Sequence, residues 1–270
     1  MMLCRWITVV SLTMLIFSDS ATLHAETSAD AIAEYHAMFG DENPAELWQL
    51  RGKDLWQQPR GPKNVALSKC DLGVGVGVID GAYAHLPRWF DDTQRVQDLE
   101  SRLVFCMVTL QGFAEEKLLK TRFGDGPKKS ELEALTAYLV AASRGHQVAV
   151  SVTRPAEQAA YDLGRSAFFY RAGPHDFACA TCHGEVGKRI RLQVLPKLTD
   201  VDGARSAYTS WPAYRVSQGE FRTMEWRLAD CFRQQRLPQL NYGSEIAIGL
   251  TMFLAKNANG GVMTAPTIKR

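Results

Sequence analysis

Beyond its first 25 residues the chain has no long apolar run; it also has no excess of either charge, no low-complexity tract and few cysteines. Each shortage closes off a class of protein. A bilayer-spanning helix needs about 20 apolar residues, and nothing after residue 25 supplies them, so no membrane span is expected. A net charge of +2 over 270 residues offers no basic surface for nucleic acid or an anionic membrane. The N-terminal run is itself short. Arg5 gives a positive start, Trp6 to Phe17 an apolar stretch and Leu23-His24-Ala25 a cleavage site, which together read as a signal peptide over residues 1–25. Cys4 precedes the apolar stretch and leaves with it. The remainder is expected in the periplasm, an oxidising compartment where cysteine pairs persist as disulfides.

Five cysteines then remain: Cys70, Cys106, Cys179, Cys182 and Cys231. An odd number in an exported chain asks for an explanation. Part of it lies in Cys179-Ala180-Thr181-Cys182-His183, which reads C-x-x-C-H, the attachment sequence of a c-type haem. The two thiols form thioethers with the haem vinyl groups and His183 binds the iron from one side. The motif occurs once, so one covalently bound haem c is expected.

The halves of the chain repeat. Pro44-Ala45-Glu46 with Gly52-Lys53 matches Pro155-Ala156-Glu157 with Gly164-Arg165. Glu100-Ser101-Arg102-Leu103 before Cys106 matches Glu225-Trp226-Arg227-Leu228 before Cys231, and Leu135 to Leu139 matches Leu250 to Leu254. Apolar residues at helical spacing follow Ser130-Glu131 and Ser244-Glu245, both good helix starts. The reading is mainly α: two tandem cytochrome c-like domains over residues 26–150 and 151–270, the N-terminal one without haem. Gly73 and Val74 stand where the second thiol and the histidine belong. Cys70 and Cys106 then have no iron to serve, and a disulfide is their simplest fate, two free thiols being the alternative.

That leaves Cys231 for the far side of the iron, where many cytochromes place a methionine. Met224, Met252 and Met263 are available, and His/Met ligation would make the protein a plain electron-transfer cytochrome. A thiolate at Cys231 would lower the potential and offer a nucleophile. Arg227 lies four residues earlier, on the same face if the segment is helical. It would lower the thiol pKa and hold an oxyanion, although Arg102 occupies the same place in the haemless half and a structural role fits both. His36, His85, His146 and His175 are isolated, with His175 nearest the haem motif. Lys188, Arg189 and Arg191 form a basic cluster after it.

Taken together, the segments Lys69 to Gly73, Pro87 to Phe90, Asp98 to Leu103, Asp176 to Cys179, Trp211 to Arg215 and Trp226 to Cys231 resemble the SoxA family, the larger subunits of the SoxAX cytochromes of bacterial periplasmic sulfur oxidation. The resemblance spans nearly the whole mature chain. It implies the single-haem kind, with a Cys70–Cys106 disulfide, haem on Cys179, Cys182 and His183, and a persulfide at Cys231 as the distal ligand. It also implies that Arg227 contacts substrate. The activity implied is oxidative conjugation of thiosulfate to a cysteine of SoxY in the SoxYZ carrier. The partner implied is a SoxX-like monohaem cytochrome that takes electrons.

Overall fold

The computed structural model describes residues 43–124, 128–190 and 193–269. The expected signal peptide, His36 and Arg191 lie outside them. The first half runs α1 (Ala45–Gln57), β1 (Arg88–Phe90), β2 (Arg95–Gln97), α2 (Leu99–Thr109), α3 (Glu115–Lys120) and α4 (Glu131–Ala141). The second runs α5 (Pro155–Phe169), α6 (Cys179–His183), β3 (Arg189–Ile190), β4 (Gln193–Val194), α7 (Val201–Tyr208), β5 (Ala213–Arg215), β6 (Glu220–Arg222), α8 (Met224–Gln234), α9 (Glu245–Asn257) and β7 (Thr267–Lys269). Among the described residues no helix is long and apolar enough to cross a membrane.

The closing helices start where the sequence places them. The Ser130 and Ser244 hydroxyls accept from the backbone N–H of Glu133 and Ala247 at 3.1 and 3.2 Å, satisfying donors that an isolated helix leaves open. Leu135, Leu139, Leu250 and Met252 are buried. Each closing helix crosses its half's opening helix, α1 on α4 and α5 on α9, at a glycine. A Cβ on Gly52 would stand 2.0 Å from the Ala134 carbonyl oxygen, and one on Gly164 would stand 1.8 Å from that of Gly249. No side chain fits there, which is why both repeats keep glycine at the crossing.

Short hairpins, absent from the sequence reading, precede α2 and α8. Strand β1 pairs antiparallel with β2, and β5 pairs antiparallel with β6. The C-terminal β7 adds in parallel to β5. Strands of two or three residues are too brief for an alternating pattern to be read. From Tyr83 and Tyr208 to Cys106 and Cys231 the two halves correspond residue by residue at a constant spacing of 125. Asp98 caps α2 by accepting from Ser101 N at 2.9 Å, and Thr223 caps α8 by accepting from Trp226 N at 3.2 Å.

The halves meet along a buried polar seam. Equivalent residues Tyr83 and Tyr208 stack with centroids 6.2 Å apart, and the Glu225 N–H donates to Glu100 at 3.4 Å. Arg122 pairs with Glu225 at 2.5 Å, and Arg222 with Glu133 at 2.8 Å. Burial pushes Glu100 and Glu133 up to about 7, and burial followed by repulsion from Asp98 holds Glu225 well above the carboxylate range. Arg122 offsets both members of the Glu100–Glu225 pair only in part.

Candidate haem site

The haem motif is folded as a single turn of helix, α6. Thr181, one of its variable positions, closes that turn: its hydroxyl accepts from the Ala178 N–H at 2.9 Å. The Gly184 N–H donates to the Ala180 carbonyl at 2.8 Å. His183 is fixed from behind, because its Nδ1 donates to the Pro196 carbonyl at 2.8 Å. A carbonyl can only accept, so the proton sits on Nδ1 and Nε2 keeps a lone pair for a metal. Burial lowers the His183 pKa, the bond to Pro196 opposes that, and the Arg227 charge lowers it further.

Cys179 and His183 open into a cleft whose walls include Phe168, Leu198 and Leu250. Helix α8 also lines it and contributes Met224, Arg227 and Cys231. The Arg227–Cys231 spacing is one helical turn, as the sequence suggested, and both residues face the cleft. Burial pushes the Cys179 thiol up to about 12, with the Cys231 charge adding to it. Burial likewise raises the Cys231 thiol, and Arg227 pulls it back. The donor set fits a c-type haem: an apolar slot, a thiol pair, an imidazole oriented to coordinate, and sulfur on a second helix of the same cleft.

Cys70 and Cys106 are bonded to each other, with Cα atoms 5.8 Å apart. Closing a loop of 36 residues contributes roughly 4 kcal/mol through the unfolded chain. The equivalent residues of the second half, Cys179 and Cys231, are free thiols on the cleft wall.

Other sequence candidates fall outside the cleft. Met252 and Met263 are fully buried in the core. His175 is exposed, its ring 5.6 Å from that of Phe177. His146 bonds Asp80 at 3.1 Å, and His85 ends a short 3-10 turn away from the cleft. Lys188 pairs with Glu185 at 3.0 Å, and Arg189 is exposed on β3. Two residues that the sequence reading left without a role stand beside Arg227. Trp211 lies 5.9 Å beneath its guanidinium, and Arg215 lies within range of its charge. The constant spacing of the repeat was the signal that could have found them.

Residues 51–148 match the family model described as the SoxA/TsdA cytochrome c domain. The match falls on the half without the haem motif, so it is carried by the scaffold. The chain is 50% identical over 240 residues to the L-cysteine S-thiosulfotransferase subunit SoxA of Hydrogenophilus thermoluteolus, covering 89% of this chain and 88% of that one. It is 34% identical to a subunit of the same description from Hydrogenobacter thermophilus, covering 84% and 82%. A chain in the crystal structure of SoxXA from P. pantotrophus shares the fold, with a TM-score of 0.71 at 20% identity over 88% of this chain and 84% of that one.

Proposed function

The chain belongs to the SoxA family of L-cysteine S-thiosulfotransferase subunits, and from that premise we propose that it carries one haem c in its C-terminal cleft and joins thiosulfate to a carrier cysteine through Cys231. Cys179 and Cys182 would hold the haem covalently, and His183 and Cys231 would bind its iron. A haem bound there supplies a one-electron redox centre. The observation that carries the reading is the placing of Cys231 and Arg227 on one helical face, in the same cleft as Cys179 and His183.

The chemistry of the protein's own residues follows from that placing. Cys231, as thiolate or persulfide, forms a sulfur–sulfur bond to the outer sulfur of thiosulfate while Arg227 holds the sulfonate end. Joining two anionic sulfurs releases two electrons, which pass to a SoxX-like cytochrome partner. A cysteine of SoxY, in the SoxYZ carrier, then attacks that bond by thiol exchange. It takes the thiosulfate and returns Cys231 to its starting state. Arg227 offsets part of the burial penalty on the Cys231 thiolate, and the thiolate is the reactive form. Export by residues 1–25 would place the reaction in the periplasm.

The C231S variant is expected to lose carrier loading while keeping its haem; full activity in that variant would overturn the mechanism. A second reading has one observation in its favour, since Met224 also lines the cleft. A methionine on the iron would make the protein an electron-transfer cytochrome. Low-temperature EPR of the ferric protein distinguishes thiolate from thioether ligation.

A further inference from the structure

The repeat sets two arginines side by side for comparison. Arg102 is fully satisfied: its two Nη atoms donate to Asp92 at 2.9 and 2.8 Å, and its Nε donates to the Asp71 carbonyl at 2.7 Å. Its guanidinium also lies 4.0 Å over the Phe90 ring. At the repeat spacing, Asp92 corresponds to Ser217 and Phe90 to Arg215. The neutralising carboxylate has become a hydroxyl, and the ring has become a second cation. Arg227 keeps an aromatic neighbour, Trp211. Neither Arg227 nor Arg215 forms an ion pair among the described residues.

Among the described residues no ion pair or hydrogen bond within the sheet holds the Arg215 side chain. Its cross-strand neighbours are Glu220 and Lys269. Glu220 pairs through one oxygen with Lys129 at 2.6 Å while its other oxygen is buried without a partner, and Lys269 is a cation that donates to Ser210 at 3.0 Å. The Arg215 Nε is buried with no partner. Burial and then the Arg227 charge lower the Arg215 pKa, and Asp230 opposes them. Both Asp230 oxygens are already taken, by Arg233 and Gln234 at 2.6 Å each. Two partly desolvated guanidiniums whose charges repel, set by the repeat where Phe90 meets Arg102, cost free energy unless an anion joins them.

We infer that Arg215 and Arg227 together form an oxyanion site beside Cys231, in which Arg215 is a second residue holding the sulfonate end of thiosulfate. The inference rests on Cys231 acting as proposed above. Thiosulfate is a dianion, so two positive charges match it where one does not. Guanidinium N–H groups also meet sulfonate oxygens in pairs. A haem propionate presents the same oxyanion chemistry, and the test separates the two.

The test uses the full haem-loaded chain with its cytochrome partner, assayed for thiosulfate conjugation to the carrier. R215Q is expected to raise KM for thiosulfate roughly tenfold or more, the loss of one charge-assisted contact. Its kcat should change far less, and its haem content and ferric spectrum should stay as in wild type. R215K should recover part of the loss. S217D alters an exposed position and rebuilds the carboxylate of the haemless half; it should raise KM by a similar factor. Unchanged KM in both R215Q and S217D overturns the assignment. Haem loss or a shifted midpoint potential in R215Q with KM unaltered also overturns it, and gives Arg215 to a propionate. Failure of wild type to load the carrier would instead sink the proposed function.

Discussion

Cys106 and Cys231 sit on equivalent turns of equivalent helices, yet one sulfur is bonded to its neighbour and the other is free at the edge of a cleft. The arginines four residues before them differ in the same direction. Arg102 is held by Asp92, the Asp71 carbonyl and Phe90, whereas Arg227 lies over Trp211 with no ion pair among the described residues. The first half pairs this arginine with a carboxylate and its two cysteines with each other. The second leaves the same groups unsatisfied at the same places. Folded proteins pair nearly all of their buried polar groups, so a set of groups left open together marks where ligands belong.

The largest expected effect attacks the closed half. Replacing Cys70 and Cys106 together by alanine should cost roughly 4 kcal/mol, the loop-closure contribution, read as a fall in denaturation midpoint. Haem uptake by the other half should persist in protein kept folded. A stability close to wild type would mean that the first half does not depend on its bridge. Next come the helix crossings. G164A forces a methyl group into the Gly249 carbonyl and should cost about 3 kcal/mol, with haem content falling because α5 and α9 carry part of the cleft wall. G52A should cost about as much stability and leave haem content unaltered. Equal haem loss in both variants would show that the halves do not act separately.

A smaller effect sharpens the comparison at the seam. Glu100 and Glu133 hold their protons up to about 7 when folded, against about 4.3 in an unfolded chain. The folded state therefore binds more protons between those limits, and stability falls as pH rises from about 4.5 to 7. The slope approaches about 1.4 kcal/mol per pH unit for each group. Thermal unfolding at a series of pH values checks this, and E100Q should flatten the curve; a stability that rises over the same range contradicts the assignment. Smallest of all, M224L should leave the ferric EPR spectrum unchanged if Cys231 is the distal ligand, and a new spectrum would hand the iron to methionine.

Much of this was legible before any fold was known. The single C-x-x-C-H and its loss at Gly73 and Val74 located the cleft in one half. Cysteine parity drew attention to Cys70, Cys106 and Cys231. Ser130 and Ser244 marked helix starts, and the paired glycines Gly52 and Gly164 belonged to the repeat, although their role at the crossings needed coordinates. The hairpins were not legible, because three residues cannot display a period. The seam was not legible either: Arg122 and Glu225 are 103 positions apart, and no local pattern joins them.

The sequence by itself determined the covalent inventory: which half carries C-x-x-C-H, which has Gly73 and Val74 in its place, and which sulfur stands outside that motif. These follow from residues a few positions apart, where chain geometry is nearly fixed. Only the tertiary structure decided the charge around that sulfur. Whether an arginine is neutralised depends on distances to groups on other elements, and Coulomb energy follows separation in space and burial from water. Arg102 and Arg227 share a motif, and the hairpin folded beside each gives one a carboxylate and the other a second cation.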